Sequence, residues 1–356
     1  MKVLLVDTAR EWRGGQSQLL LTAQGLAARG HAVALACRAG GVLEERARRC
    51  RLDVHCFPFR GDLSPRALVP LAALVRRFAP DVLQLNDPHA VGCGLLGARL
   101  AGRGRSVATR RVDFHLRSAV SRAKYARADR TIAVSRAIAA ILTEDGLPED
   151  RLRLVYEGVP DRLPRDGGDP LRELGVPEGA LVIGNVAALT PHKDQATLLA
   201  ALPEVFRRVP RARALIFGEG ELRPALEAQA RALGLGERVV FAGFRSDLDA
   251  LVPRFDLFCL SSRWEGLGTS LLDAMAFARP IVATAAGGIP EAVEDGVNGR
   301  VVPVRDPAAL AAALVELLED PARRASLGRA GRERFLARFT ADRMVEETLA
   351  VYRELA

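Results

Sequence analysis

Short apolar runs alternate along this chain with longer stretches in which apolar positions return every three or four residues. In the first half the short runs, rich in Val, Ile and Leu, fall at residues 3–6, 32–36, 53–57, 81–85, 106–109, 130–134 and 152–156. Helical patterns separate them near 16–29, 43–51, 66–78, 90–101 and 136–144. Strands without a clean apolar/polar alternation, spaced by helices, predict a parallel sheet covered on both faces. Between 160 and 179 the texture breaks: Pro160, Pro164, Gly167, Gly168, Pro170, Pro177 and Gly179 crowd together, which marks a linker. A second alternation follows, with strands near 181–187, 212–217, 239–242, 257–260, 280–283 and 299–303, and three helical stretches close the chain. The expected organisation is α/β: two Rossmann-like halves at 1–160 and 180–340, a linker at 161–179, and a last helix at 341–356 packing back towards the first half. Two such halves, facing each other, are expected to form a cleft at the carboxyl ends of both parallel sheets, where sheets of this kind bind ligands.

Length and composition sharpen this reading. At 356 residues with 49% apolar composition, the chain has enough material for two cores. Asp7 stands six residues after Met1, so no apolar leader is expected there, and no run approaches the ~18 residues that span a bilayer. A cytoplasmic location is expected. The five cysteines, Cys37, Cys50, Cys56, Cys93 and Cys259, are scattered without a C-x-x-C pair and read as reduced packing residues, not metal ligands.

The net charge of +8 is unevenly placed: residues 1–160 hold 26 Lys+Arg against 15 Asp+Glu, or +11, and residues 161–356 carry −3. A basic first half suggests an anionic partner, either a membrane surface, a phosphorylated substrate or nucleic acid; the alternative is an arginine-rich solvated surface. No basic stretch interleaved with aromatics appears, so nucleic acid is not expected. Arg117, Arg122, Lys124, Arg127 and Arg130 read as one basic helix, which suggests a lipid-linked or phosphorylated acceptor and peripheral attachment at the inner face of an anionic cell membrane.

Three segments carry candidate chemistry. After the first strand, Trp12-Arg13-Gly14-Gly15-Gln16-Ser17 leads into a helix. Two glycines at such a turn let a ligand approach the backbone, and the helix start offers free N–H groups to an anion; an ordinary tight turn has the same look. The G-x-G-x-x-G fingerprint is missing, which argues against a nicotinamide or flavin cofactor. In the second half, Thr190-Pro191-His192-Lys193-Asp194 places Lys193, one of only three lysines, just before a helix, where a phosphate or solvent could meet it. The richest segment is Ser261-Ser262-Arg263-Trp264-Glu265-Gly266-Leu267-Gly268-Thr269-Ser270-Leu271-Leu272-Asp273. Glu265 lies in a glycine-bearing loop after a strand, and Asp273 lies eight residues on, in the next helix. The loop N–H groups suit a phosphate and the carboxylates suit sugar or ribose hydroxyls, although a dipole-favoured acid in a helix start is the plainer account.

That segment resembles the E-x7-E signature of the retaining family 4 glycosyltransferases of GT-B fold, here in the form E-x7-D. Similar pieces occur in the same order: Val134-Ser135, Gly158-Val159, Phe217-Gly218-Glu219-Gly220, Phe241-Ala242-Gly243-Phe244, Ala285-Ala286-Gly287-Gly288 and Asp295-Gly296-Val297-Asn298-Gly299. The resemblance implies a donor domain in the second half and an acceptor-side domain in the first. It implies a nucleotide-sugar donor, UDP- or GDP-linked, and no separate cofactor. Gly14 and Gly15 would approach the donor diphosphate, Lys193 would neutralise it, and Glu265 would sit by the transferred sugar. Gly266, Leu267, Gly268, Thr269 and Ser270 would offer backbone groups to phosphate and Asp273 would hold the ribose. Gly218, Phe244 and Arg245 would flank the nucleotide.

The chain departs from the pattern in three places. An arginine usual five residues before the lysine is Ala188 here, and the second acid is Asp273, one methylene shorter than Glu. A donor-contacting histidine is expected after the run at 106–109, where this chain has Arg110-Arg111-Val112-Asp113-Phe114-His115; Arg111, Asp113 and His115 all stay open for that place. Asn86-Asp87-Pro88-His89, at another strand end, reads either as ligand contacts from Asp87 and His89 or as a helix cap. Asp247-Leu248-Asp249 has the spacing of a metal-binding pair but reads as a short helix start, so no metal is expected. The expected activity is metal-independent, retaining transfer of a hexose-type sugar to a glycan, lipid-linked or small-molecule acceptor. The alternatives are a nucleotide-sugar 2-epimerase of the same fold and a catalytically weak nucleotide-sugar or glycan-binding protein.

Overall fold

The computed structural model describes residues 1–61, 64–164, 168 and 170–355. It divides into two units, residues 1–159 with 340–356, and residues 160–339. Gly167, one of the breakers read from the sequence, lies outside the described residues together with 165, 166 and 169.

The first unit winds β1 (Lys2–Val6), α1 (Gly14–Ala28), β2 (Ala32–Arg38), α2 (Val42–Arg49), β3 (Asp53–Phe57), α3 (Pro65–Phe78) and β4 (Val82–Leu85). It continues with α4 (Pro88–Ala101), β5 (Arg105–Arg110), α5 (Ala119–Arg127), β6 (Arg130–Ala133), α6 (Arg136–Glu144) and β7 (Leu152–Leu154). The seven strands are parallel in the order β3-β2-β1-β4-β5-β6-β7. Because successive strand residues face opposite sides, Leu4 and Val6 pack with α3, α4 and α6, while Val3 and Leu5 pack with α1 and α2. Both sheet faces are therefore buried, which is why the strands read as unbroken apolar runs.

The second unit contains α7 (Pro170–Glu173), β8 (Leu181–Val186), α8 (Gln195–Arg208), β9 (Ala212–Phe217), α9 (Arg223–Ala232), β10 (Val239–Gly243) and α10 (Leu248–Leu251). Then follow β11 (Leu257–Leu260), α11 (Thr269–Ala276), β12 (Ile281–Thr284), α12 (Ile289–Ala292), β13 (Arg300–Val302), α13 (Pro307–Glu319) and α14 (Pro321–Arg338). Its sheet is parallel too, ordered β10-β9-β8-β11-β12-β13. The chain ends in α15 (Ala341–Arg353), whose Met344, Val345, Leu349 and Tyr352 join the core of the first unit beside α1.

In each sheet the strand order reverses once, between β1 and β4 and between β8 and β11. Loops leaving neighbouring strands diverge there and open a crevice at the carboxyl ends. Two expectations meet the structure here. The basic helix is shorter than its charge pattern suggested: α5 covers Ala119–Arg127, with Arg117 before it and Arg130 already in β6. The α5 stretch has little apolar periodicity to read, since Tyr125 is its one buried residue. Asp247-Leu248-Asp249 does open a short helix, α10. Among the described residues, no helix is long and apolar enough to cross a membrane.

Candidate functional site

The second unit's switch point brings the loops after β8 and β11 together. Arg263 N donates to the His192 carbonyl at 2.8 Å, and the Ser261 hydroxyl donates to the Asp194 carbonyl at 2.9 Å. The loop after β12 joins from the other side, where Gly288 N donates to the Glu265 carbonyl at 3.0 Å. With both loops fixed, the Lys193 ammonium meets the Glu265 carboxylate directly, and the Ser262 hydroxyl donates to the same carboxylate oxygen at 3.1 Å. Both partners are well covered, with 17% and 11% of their side chains exposed, so their attraction is weakly screened. Sequence reasoning placed Lys193 and Glu265 in one site; it did not foresee that they pair with each other.

Gly268 precedes α11 with φ +90°, a conformation open to glycine, and a Cβ there would lie 3.0 Å from Leu271 Cδ1 and 3.4 Å from Glu265 Cγ. The first N–H groups of α11 thus start beside the Lys193–Glu265 pair without an intervening side chain. Leu267 points its side chain into the core, leaving its backbone as the chemically useful part. Asp273 lies in the second turn of α11, where burial pushes its carboxyl from 3.8 up to about 6, with Arg162 pulling weakly the other way.

Gly218 follows β9 with φ +134°, and a Cβ there would fall 2.0 Å from the Ala187 carbonyl oxygen, so only glycine fits against the loop after β8. Its N–H donates to the Gly243 carbonyl at 2.8 Å, which carries the edge on to Phe244 and Arg245. Phe244 is exposed, and Arg245 forms two hydrogen bonds to Asp247, at 2.8 and 2.6 Å. At position 188 the alanine carbonyl accepts from Gln195 Nε2 at 3.1 Å.

The first unit's switch point gathers a buried polar network that the sequence did not announce. Asp7, at the end of β1, is fully buried and accepts from Asn86 Nδ2 at 2.6 Å, Gln16 Nε2 at 2.9 Å and Ala9 N at 2.9 Å. Burial and the neighbouring Asp87 raise the Asp7 pKa, while those hydrogen bonds hold it back. Asn86 Nδ2 also donates to the Gly15 carbonyl at 3.2 Å. Arg111 donates to Glu157 at 3.0 Å and to the Asn86 carbonyl at 3.3 Å. A Cβ on Gly15 would touch Arg111 Cδ at 3.6 Å, so Gly14, Gly15 and Arg111 share one corner.

Of the three residues open for the missing histidine's place, Arg111 is the one that these hydrogen bonds tie into that corner. His115 is instead held by Asp145, 2.9 Å away at the end of α6, with 60% of its side chain exposed. Asp113 lies in the loop between β5 and α5, half-buried. Asp87 caps α4, accepting from His89 N at 2.9 Å and Ala90 N at 3.0 Å, and also ties down Thr8. His89 is exposed in the first turn of that helix.

Two parallel Rossmann-like domains, each with its polar residues at the switch point, are the parts of a GT-B protein. Residues 12–163 match the model of Glycosyltransferase Family 4 and residues 171–334 that of Glycosyl transferases group 1. Between them these matches take in most of the chain, which belongs to the GT-B glycosyltransferases. It is similar to the crystal structure of Anabaena Alr3699/HepE in complex with UDP and glucose, with a TM-score of 0.86, 26% identity and 98% of each chain covered. It is 40% identical over 160 residues to the GDP-mannose-dependent alpha-(1-6)-phosphatidylinositol monomannoside mannosyltransferase of Mycolicibacterium smegmatis, covering 42% of each. It is 24% identical over 298 residues to N-acetyl-alpha-D-glucosaminyl L-malate synthase of Bacillus anthracis, covering 80% of this chain and 77% of that one. The chain spans about half the length, or less, of several curated relatives that it matches.

Proposed function

We propose that this chain is a retaining glycosyltransferase that moves a hexose-type sugar from a UDP- or GDP-linked donor to a glycan, lipid-linked or small-molecule acceptor, without a metal ion. The observation that carries the reading is the meeting of Lys193, Glu265 and the start of α11 at one switch point, with Asp273 one turn further on. Breaking the anomeric bond places negative charge on the departing diphosphate. Lys193 exchanges Glu265 for a phosphate oxygen as that charge develops, and the free N–H groups of α11 take a second share. Glu265, so released, accepts a hydrogen bond from the transferred sugar. The departing phosphate takes the acceptor's proton on the face it leaves, which gives retention without a separate general base. Asp273 accepts from the ribose hydroxyls, and Phe244 with Arg245 flanks the base beside Gly218. From the first unit, Gly14 and Gly15 are the candidates for diphosphate contacts, and Asp87, His89, Arg111, Asp113 and His115 are candidates for sugar or acceptor contacts.

The donor class is supported by the UDP of the Anabaena structure and the GDP-mannose dependence in the name of the Mycolicibacterium relative. A lipid-linked acceptor of the kind used in building cell-envelope glycans is supported by the phosphatidylinositol monomannoside in that name and by the basic first half of the chain. The protein would then work in the cytoplasm, peripherally at the inner face of the membrane.

The test is a thermal-shift panel of UDP-, GDP- and ADP-sugars and free nucleotides, with and without EDTA, followed by turnover of the best donor. Stabilisation by one nucleotide class, unchanged by EDTA, is expected. Lys193→Ala should then lower turnover by roughly 10²–10³, the cost of removing one charge-stabilising group. No shift with any nucleotide, or full activity in Lys193→Ala, would overturn the reading.

A further inference from the structure

The cysteines are scattered along the sequence, but the first sheet brings two of them together. β2 and β3 run parallel, and their register sets Cys37 opposite Cys56. Neighbouring strands lie about 4.8 Å apart, within the roughly 4.4–6.8 Å that separates the Cα atoms of a disulfide. Both side chains leave the sheet on the face that packs with α1 and α2, and their Sγ atoms stand 3.9 Å apart as free thiols. Their surroundings differ. Cys37 is 1% exposed, and burial together with Cys56 beside it raises the pKa of its thiol. Cys56 is half-buried on β3, the outermost strand of the sheet, where solvent reaches it. Burial raises the Cys56 pKa and Glu44 of α2 adds to that, whereas Arg48 and Cys37 act the other way. Arg48 Nη2 lies 3.6 Å from Cys56 Sγ. Cys56 is thus the accessible sulfur with a guanidinium to hold its thiolate, and Cys37 stands behind it.

We propose that Cys37 and Cys56 form a reversible oxidation site, closing to a disulfide when a hydroperoxide meets Cys56. The Cys56 thiolate attacks one peroxide oxygen, the O–O bond breaks, and the far oxygen leaves with a proton as water or alcohol. Cys56 is then a sulfenic acid, oxidised by two electrons. The Cys37 sulfur attacks the Cys56 sulfur, an S–S bond replaces the S–O bond, and the hydroxyl departs with the Cys37 proton as water. No group has to travel for this second step, since the register already holds the sulfurs side by side. Registered residues on parallel strands point their Cβ atoms alongside one another and not towards one another. The bond therefore closes under strain, and a small thiol reopens it readily. This site stands apart from the proposed sugar transfer and does not depend on it.

The experiment treats the full chain with hydrogen peroxide, blocks the remaining thiols with an alkylating reagent and maps the peptides by mass spectrometry. The expected product is one cross-link, Cys37 to Cys56, two hydrogens lighter than the free pair and lost on adding dithiothreitol. Cys50→Ser should leave its yield unchanged. Cys37→Ala should abolish it and leave Cys56 as a sulfenic acid that dimedone labels. Arg48→Gln should slow closure about threefold, and Glu44→Gln should speed it by a similar factor. A shift of one pKa unit alters the thiolate fraction about tenfold, and the opposing change in nucleophilicity offsets part of it. Arg48 and Glu44 lie on the surface of α2, and unaltered thermal unfolding of each variant confirms that the fold is kept. Oxidation of Cys56 on to sulfinic acid with Cys37 still free would overturn the proposal. So would cross-links to Cys50, or closure rates indifferent to both changes in α2. The donor panel is measured with dithiothreitol present, which keeps the pair open, so the two readings fail separately.

Discussion

Asp273 carries a conflict that makes its role measurable. Burial holds its carboxyl at about 6 instead of 3.8, so the folded chain retains its proton over a range where the unfolded chain has lost it. A group whose folded pKa is raised contributes stability at low pH and loses it as pH climbs from near 4 to above 6. At pH 8 the fold therefore holds an ionised Asp273 at a cost. Asp273→Asn keeps the shape and removes the charge, so it should raise the melting temperature at pH 8 and leave it nearly unchanged at pH 4. If the carboxylate accepts from the donor's ribose, the same change should weaken donor binding at pH 8 even as the protein becomes more stable. In the unaltered protein, donor affinity should fall as pH drops below about 6, because protonation removes the negative charge and turns one carboxyl oxygen into a donor, which weakens its acceptance from the hydroxyls. Melting curves and donor titrations at both pH values check this. A variant that is destabilised at pH 8 would mean Asp273 holds the fold through contacts that need its charge.

At the scale of elements, the start of α1 separates a fold requirement from a ligand requirement. Gly15 has an ordinary backbone, and an added Cβ would find its nearest atom at 3.6 Å, normal contact. Gly15→Ala should therefore fold as well as the parent, or better by about 0.5–1 kcal/mol from helix propensity. If the donor diphosphate lies against that turn, the added methyl should raise the donor KM on the order of tenfold. Unchanged kinetics in a folded Gly15→Ala would remove Gly15 from the donor site. The loops that hold Lys193 and Glu265 were legible in the sequence because each leaves a short apolar strand and enters a helix, and the strands at Ala212–Phe217 and Leu257–Leu260 fall where the apolar runs predicted. The Asp7–Asn86–Arg111–Glu157 network was not legible. Its members lie as far apart as residues 7 and 157 and meet only through the strand order, which apolar periodicity does not encode. The bounds of α5, read from charge alone, came out too long for the opposite reason: a helix that buries one residue leaves almost no periodic trace.

At the scale of the whole chain, sequence order and structural membership part company at the end. The last 17 residues, 340–356, belong to the unit that the chain left at residue 159. Two kinds of contact hold them there. Val159 and Thr340 pair as a parallel bridge, and a Cβ on Gly158 would fall 2.4 Å from the Thr340 carbonyl oxygen, so the return needs glycine at 158. Beyond it, α15 buries Met344, Val345, Leu349, Val351 and Tyr352, and the Tyr352 hydroxyl donates to Gln84 in the middle of β4. Five buried apolar side chains at about 1.5–3 kcal/mol each amount to at most about 15 kcal/mol, comparable to the whole stability of a typical domain. Removing residues 340–356 should accordingly unfold the first unit and leave the second folded, although both would still be complete by a simple split of the sequence at the linker. Hydrogen exchange checks it strand by strand: amides of β1 and β4 should lose protection in the truncated chain while those of β8 and β11 keep theirs. Protection lost equally in both sheets would mean that the second unit does not stand on its own core. Protection kept in β1 and β4 would mean that α15 only covers a face the sheet can hold without it.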